Sequence, residues 1–147
     1  MTTKIIKVLI VDDHTMFRAG LKMLLQDETN ITIAGEAGNG EEAVSQCGKL
    51  HPDIVLLDIS IPDKNGLLII KDLLKFNKKL KIIMLTMYEN IHYLEQALKL
   101  GAKGYVVKRA ADNELVDAIR AVAAGNIYIH PSLTAMLVDK IIIGKGA

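Results

Sequence analysis

The chain has 147 residues, half of them apolar, which is enough to build the core of one domain. The formal net charge at pH 7 is +1, so the chain lacks the strong positive field with which proteins attract nucleic acid or anionic membranes. A single cysteine, Cys47, excludes an internal disulfide and favours a reducing, cytoplasmic environment. No signal-peptide pattern is present and no apolar run approaches the roughly 18 residues of a membrane span, so we expect no membrane partner.

Apolar runs of strand length alternate with segments of helical periodicity. The predicted strands are residues 5–11, 31–36, 54–57, 81–86 and 104–107. The predicted helices are residues 15–26 and 40–50, a helix that starts after Asn65 and Gly66, and residues 91–100 and 113–124, with Gly101 as a left-handed cap and Gly125 as a stop. This alternation predicts an α/β fold with a parallel sheet, in which the carboxyl ends of the strands share one edge.

The tail, residues 126–147, has a different pattern. Residues 127–129 form a short apolar patch, and Pro131 suits the first turn of another helix. Apolar side chains then recur at helical spacing, at Leu133, Met136, Leu137 and Ile141. One amphipathic helix is too little for a second domain, so we expect residues 126–147 to be a linker or packing helix that follows a domain at residues 1–125.

Polar residues lie just past the ends of four apolar runs in the predicted strands, at Asp12, Asp13, Asp58, Thr86 and Lys108. In a doubly wound sheet, strands one and three flank the point where ligands bind, so Asp58 should face the two aspartates after strand one. Carboxylates so close together repel unless a cation joins them. Oxygen ligands suit Mg²⁺, and we expect the backbone carbonyl of Ser60 to complete the set. His14 opens helix one, and for it we expect a structural role.

The same residues suit phosphoryl transfer. Asp58 can be a metal ligand or a nucleophile, because carboxylates accept phosphoryl groups. Thr86 can donate a hydrogen bond to one phosphoryl oxygen, and Lys108 can pair with another. Taken singly, Thr86 is an ordinary residue closing a strand and Lys108 an ordinary surface lysine. Their joint position at the strand ends favours the functional interpretation.

Several motifs resemble those of the receiver domain of two-component response regulators, over roughly residues 4–124. They are residues 11–14 (VDDH), 57–66 (LDISIPDKNG), 85–87 (LTM) and 101–108 (GAKGYVVK). The stretches 85–88 and 121–129 look most like the NarL/FixJ subfamily, whose output domains are of the LuxR type. The resemblance implies a flavodoxin-like, doubly wound (βα)5 three-layer sandwich with strand order 2-1-3-4-5.

The resemblance also implies a role for each site residue. Mg²⁺ would bind at Asp13, Asp58 and the Ser60 carbonyl, with Asp12 supporting the metal. A sensor histidine kinase would phosphorylate Asp58, in a regulatory switch that catalyses only its own phosphorylation and dephosphorylation.

The implied switch consists of Thr86 and Tyr105. Thr86 would move toward the phosphoryl group, and Tyr105 would turn into the space that it leaves. The altered face would be that of helix four, strand five and helix five, including Tyr88, Ile91, Leu94, Tyr105 and Val107. Ser60 and Tyr88 would rim the phosphate and tune its hydrolysis.

Two departures from the family pattern affect these expectations. Many receivers have proline after the lysine, often with a cis bond, whereas this chain has Arg109. A non-proline cis bond costs about 3–4 kcal/mol, so we expect a trans bond or a strained loop. The subfamily usually carries a C-terminal helix-turn-helix domain, and contact with DNA would need that missing domain. We therefore expect a piece of such a transcription regulator or a stand-alone receiver acting through protein contacts, with homodimerisation through helices one and five or the helix-four face.

Two other functions suit such a sheet less well. An aspartyl-phosphate phosphatase would have a second acid two residues after the nucleophile, where this chain has Ser60. A flavodoxin would need a Ser/Thr/Gly-rich loop after strand one, where this chain has residues 12–16, and a chain without tryptophan supplies flavin stacking poorly. The basic cluster at residues 78–81 is most simply a solvated loop.

Overall fold

The computed structural model describes residues 4–146. Residues 1–3 of the predicted domain (residues 1–125) and residue 147 of the predicted tail (residues 126–147) lie outside that range. The strands are β1 (Ile6–Val11), β2 (Ile31–Ala37), β3 (Ile54–Leu57), β4 (Lys81–Thr86), β5 (Gly104–Val107) and β6 (Tyr128–Ile129). The helices are α1 (Thr15–Leu25), α2 (Gly40–Leu50), α3 (Gly66–Phe76), α4 (Ile91–Leu100), α5 (Ala111–Ala123) and α6 (Pro131–Gly146), with a 3-10 turn at Lys108–Ala110. All strands are parallel, in the order β2-β1-β3-β4-β5-β6. The predicted α/β fold and the order of its first five strands are confirmed.

Local interactions explain where the helices begin and end. Asn39 caps α2 by accepting a hydrogen bond from the backbone N–H of Glu42 at 2.8 Å. Asn90 caps α4 by accepting from two backbone N–H groups of its first turn. Gly101 ends α4 with a φ of 113°, a left-handed conformation that favours glycine. The predicted glycine cap is therefore confirmed.

Apolar layers cover both faces of the sheet. One layer joins the sheet to α2, α3 and α4, and the other joins it to α1 and α5. Every residue of β3 and β5 is buried. Cys47 lies in the first layer, where burial raises the pKa of its thiol, so the predicted packing position is confirmed.

The tail differs from its prediction. Residues 128–129 pair with β5 as a sixth strand, where the sequence indicates only an apolar patch. Helix α6 begins at Pro131, as predicted. Of its four predicted apolar positions, Leu133 is fully buried and Leu137 partly buried, whereas Met136 and Ile141 are 42% and 50% exposed. Helix α5 begins at Ala111, two residues before its predicted start. Among residues 4–146, no helix combines the length and apolar character needed to cross a membrane.

Candidate functional site at the carboxyl edge of the sheet

The ends of the central strands lie side by side. Val11 in β1 is opposite Leu57 in β3, and Thr86 in β4 is opposite Val107 in β5. Because β3 also pairs with β4, the loops that follow these strands open at one edge. The polar residues brought to this edge are Asp12, Asp13, Asp58, Thr86 and Lys108.

An ammonium group between two buried carboxylates forms the centre of the site. Lys108 Nζ lies 2.6 Å from Asp12 Oδ2 and 2.9 Å from Asp58 Oδ2. The side chain of Lys108 is 15% exposed, and those of the aspartates are almost fully buried. Burial by itself would lower the pKa of Lys108, but the hydrogen bonds to Asp12 and Asp58 outweigh it, so the pKa is raised. The lysine therefore stays charged at neutral pH and balances part of the buried negative charge.

A third carboxylate and a histidine lie at the exposed side of the same cluster. His14 Nδ1 is 2.9 Å from Asp12 Oδ1 and 3.3 Å from Asp13 Oδ1. Asp12, Asp13, His14 and Asp58 each offer one ligand atom, and these atoms lie within 4.8 Å of one another. The three carboxylates are hard oxygen donors, which fit Mg²⁺. From the sequence we expect only a structural role for His14, whereas its ring belongs to this cluster.

Ser60 and Tyr88 tie two loops together at the rim. Ser60 Oγ and Tyr88 Oη are 2.8 Å apart, in a hydrogen bond between the loop after β3 and the loop after β4. Both line a cleft of about 460 Å³ that Asp13 also lines. The backbone N–H of Ser60 donates to Asp58 Oδ1 at 3.3 Å, while the use of its carbonyl as a metal ligand stays a prediction. Thr86 is fully buried, and its Oγ1 accepts from the backbone N–H of Tyr88 at 3.4 Å.

Tyr105 lies inside the fold. Its side chain is fully buried, and its hydroxyl donates a hydrogen bond to the carbonyl of Tyr88 at 2.6 Å. Burial raises the pKa of that hydroxyl far above its usual value. Leu94 and Val107, expected on the same altered face, are buried too. These three residues belong to one apolar layer of the fold, and their part in an altered face stays a prediction.

Other contacts around the lysine have no signal in the sequence. The ring centroid of Phe17 in α1 lies 4.6 Å from Lys108 Nζ, which is a cation–π geometry. Arg109 follows the lysine through a trans bond, as expected, since no peptide bond within residues 4–146 is cis. The Arg109 guanidinium binds the carboxylate of Glu89 in the loop after β4. The contacts of Phe17 with Lys108 and of Glu89 with Arg109 form only through the tertiary fold.

Comparisons with known proteins agree on one family. Residues 8–120 match the response regulator receiver domain. The transcriptional regulatory protein YdfI of Bacillus subtilis is 40% identical over 131 residues, which cover 89% of this chain and 61% of that protein. This chain spans about six tenths of the length of the curated relatives that it matches.

Solved structures show the same relationship. A LuxR-family two-component response regulator from Aurantimonas has a TM-score of 0.90 at 27% identity, with 95% of this chain and 99% of that chain covered. The response regulator RcsB of Salmonella typhimurium has a TM-score of 0.85 at 27% identity, with 90% of this chain and 68% of that chain covered. Another structure contains two RcsB dimers bound to two parallel DNAs.

Proposed function

This chain belongs to the response regulator receiver domain family, and we propose that it accepts a phosphoryl group on Asp58 from a sensor histidine kinase. One observation supports the assignment best: Lys108 Nζ bridges Asp12 and Asp58, at 2.6 and 2.9 Å. A buried carboxylate that can act as a nucleophile is thus held beside a fixed positive charge. Phosphoryl transfer needs mainly this positioning and charge neutralisation.

The proposed transfer conserves atoms and charge as follows. One carboxylate oxygen of Asp58 attacks phosphorus, the bond from phosphorus to the kinase histidine breaks, and the histidine nitrogen takes up a proton. Lys108 moves from the carboxylate to a phosphoryl oxygen. Thr86 donates its hydroxyl hydrogen to a second one. The product is an aspartyl phosphate, and its later reaction with water returns the free carboxylate.

We propose that Asp12, Asp13 and Asp58, with the backbone carbonyl of Ser60, hold Mg²⁺. A Mg²⁺ ion held by these residues would supply positive charge to offset that of the phosphoryl group. Asp12 has a second task, because its carboxylate is the nearest partner of Lys108 and keeps the ammonium beside Asp58.

We propose that Ser60 and Tyr88 slow the access of water to the phosphoryl group, because their hydrogen bond joins two loops of the site. Thr86 and Tyr105 both contact Tyr88, one through its backbone N–H and the other through its carbonyl. Movement of Thr86 toward a phosphoryl group would therefore reach Tyr105 through the backbone of Tyr88. In this proposal Tyr105 stays buried and transmits the movement through its hydrogen bond to Tyr88, rather than turning inward from the surface.

We further propose that the output is control of transcription. YdfI is described as a transcriptional regulatory protein, and RcsB has been seen as dimers on DNA. For this chain we propose a receiver at residues 1–125 and a connecting segment at residues 126–147, with homodimers as its active form. Contact with DNA would belong to a helix-turn-helix domain in a longer protein.

Intact-protein mass after incubation with Mg²⁺ and acetyl phosphate tests the proposal. The native chain should gain one phosphoryl group, which needs Mg²⁺ and is removed by hydroxylamine, as expected for an acyl phosphate. Asp58→Asn should gain none. Asp72→Asn, on α3 away from the site, is the matched control and should behave as the native chain. An adduct that persists in Asp58→Asn would refute the assignment of the acceptor.

A further inference from the structure

One carboxylate joins the phosphoacceptor site to the C-terminal segment. Glu89 lies three residues after Thr86 and binds the guanidinium of Arg109, the neighbour of Lys108. Its other oxygen accepts a hydrogen bond from Ser132 Oγ at 2.6 Å, and Ser132 is the second residue of α6. The loop after β4, the loop after β5 and the first turn of α6 therefore meet at Glu89.

Both loops also contact the phosphoacceptor or its surroundings. Lys108 Nζ is 2.9 Å from Asp58 Oδ2. Tyr88, the neighbour of Glu89, contacts Thr86 through its backbone and Ser60 through its hydroxyl. The hydrogen bond from Ser132, and then that from Arg109, lowers the pKa of Glu89. The Glu89 carboxylate is thus ionised at neutral pH. It is connected to the site through Arg109, the neighbour of Lys108, and through Tyr88, the neighbour of Glu89 itself.

We propose that Glu89 is a latch that releases the first turn of α6 when Asp58 carries a phosphoryl group. This inference rests on the proposed function. Lys108 and Thr86 move toward the new phosphoryl oxygens, and the adjoining Arg109 and Glu89 move with them because the connecting loops are short. Glu89 is then drawn away from Ser132, and the first turn of α6 loses its tie to the receiver.

Other attachments of α6 do not pass through these loops. Leu133 is fully buried in the apolar layer beneath α4. Lys140 pairs with Glu95 on α4, two turns further along α6. Phosphorylation should therefore loosen the start of α6 while the helix stays attached. In a longer protein, the loosened first turn of α6 would change how a following domain is connected to the receiver.

Hydrogen–deuterium exchange of the full chain, with and without Mg²⁺ and beryllofluoride, tests the latch. Beryllofluoride is a reversible mimic of the phosphoryl group, and fluorine NMR reads its occupancy independently. With the mimic bound, we expect residues 131–137 to exchange about threefold to tenfold faster. The variants Glu89→Gln and Ser132→Ala should bind the mimic as well as the native chain does. Their exchange at residues 131–137 should not change when the mimic binds, because the first turn of α6 is already released in the free protein.

Glu95→Gln is the matched control, since it removes a tie on the same helix that does not involve the site loops, and it should keep the response. Bound mimic without faster exchange at residues 131–137 would overturn the latch. So would a response that Glu89→Gln retains or that Glu95→Gln loses. Absence of a Mg²⁺-dependent signal from bound beryllofluoride would refute the proposed function itself, and the latch with it.

Discussion

The phosphoacceptor site and the segment formed by β6 and α6 are held in place by opposite means. At the site, the ammonium group of Lys108 balances the charges of the buried Asp12 and Asp58, so ion pairs hold these side chains in place. The segment has Leu133 as its buried apolar anchor, and hydrogen bonds join Tyr128 Oη and His130 Nδ1 to the carboxylate of Glu114, whose side chain is only 14% exposed. Buried charges are costly as soon as one partner is lost, whereas a surface ion pair such as that of Lys140 with Glu95 contributes little. The site should therefore be most sensitive to the loss of one charge, and the segment to the loss of its apolar anchor.

Removing the charge balance should have the largest effect. Lys108→Ala leaves two buried carboxylates without their cation, which should lower the free energy of unfolding by about 3 kcal/mol. The phosphorylation rate should fall by about 100-fold or more, because the phosphoryl charge loses its fixed partner. Urea denaturation and intact mass measure the two effects. Lys103→Ala, an exposed lysine before β5, is the control. Equal stability of both variants would show that no charge balance operates at the site.

Removing the apolar anchor of the segment comes next. Leu133→Ala should lower the free energy of unfolding by about 2–3 kcal/mol, because the side chain is fully buried. Ile142→Ala, at a position of α6 that is 63% exposed, should change it by no more than about 0.5 kcal/mol. Urea denaturation of both variants measures the difference. If Leu133→Ala were as stable as the native chain, the segment would not share the cooperative unfolding of the sheet.

Opening the rim should have a smaller effect, on rate rather than stability. Tyr88→Phe removes the hydrogen bond to Ser60, worth about 1 kcal/mol, so the phosphorylated form should decay roughly fivefold faster. Ser60→Ala should give a similar change, and Tyr93→Phe, which lines the same cleft, should give none. The decay is followed by intact mass after removal of the phosphodonor. Unchanged lifetimes in both rim variants would contradict the proposed role.

The smallest expected effect is on the free energy of unfolding at alkaline pH, and it comes from Tyr128 in the segment. Burial, and then the hydrogen bond to Glu114, raises the pKa of Tyr128 from 10.0 to about 12. Because the folded protein holds this proton more tightly than the unfolded chain, the contribution to stability is complete below pH 10.0 and lost as the pH rises through about 12. The free energy of unfolding should therefore fall less steeply over this interval in Tyr128→Phe than in the native chain. Parallel slopes in urea titrations would contradict the raised pKa.

The sheet and its carboxyl edge could be predicted because their signals are local. Residues 54–57 and 82–85 are apolar runs of strand length, and a polar residue directly follows each. Parallel pairing then brings those ends together whatever the details of packing. Gly101 is a similar case, since its left-handed conformation is a property of one residue.

The remaining features depend on contacts between distant parts of the chain. β6 has two residues, too few to show strand periodicity, and it forms because β5 offers a free side. The burial of Tyr105 depends on α4 above it and on the carbonyl of Tyr88. Glu89 meets Ser132 across 43 residues, and nothing near either one indicates the other. Such pairs require the folded chain to be known.

The short strand β6 has a protective consequence. The backbone N–H of Tyr128 donates to the carbonyl of Lys103 at 3.0 Å, and that of His130 donates to the carbonyl of Tyr105 at 2.9 Å. Without these bonds, one side of β5 would present unpaired backbone groups on which another molecule could add a strand. With β6 in place, the outer strand on this side of the sheet is only two residues long and is followed directly by α6. It therefore offers few backbone groups with which a strand of another molecule could pair. At this border of the sheet, β6 therefore disfavours the addition of a strand from another molecule.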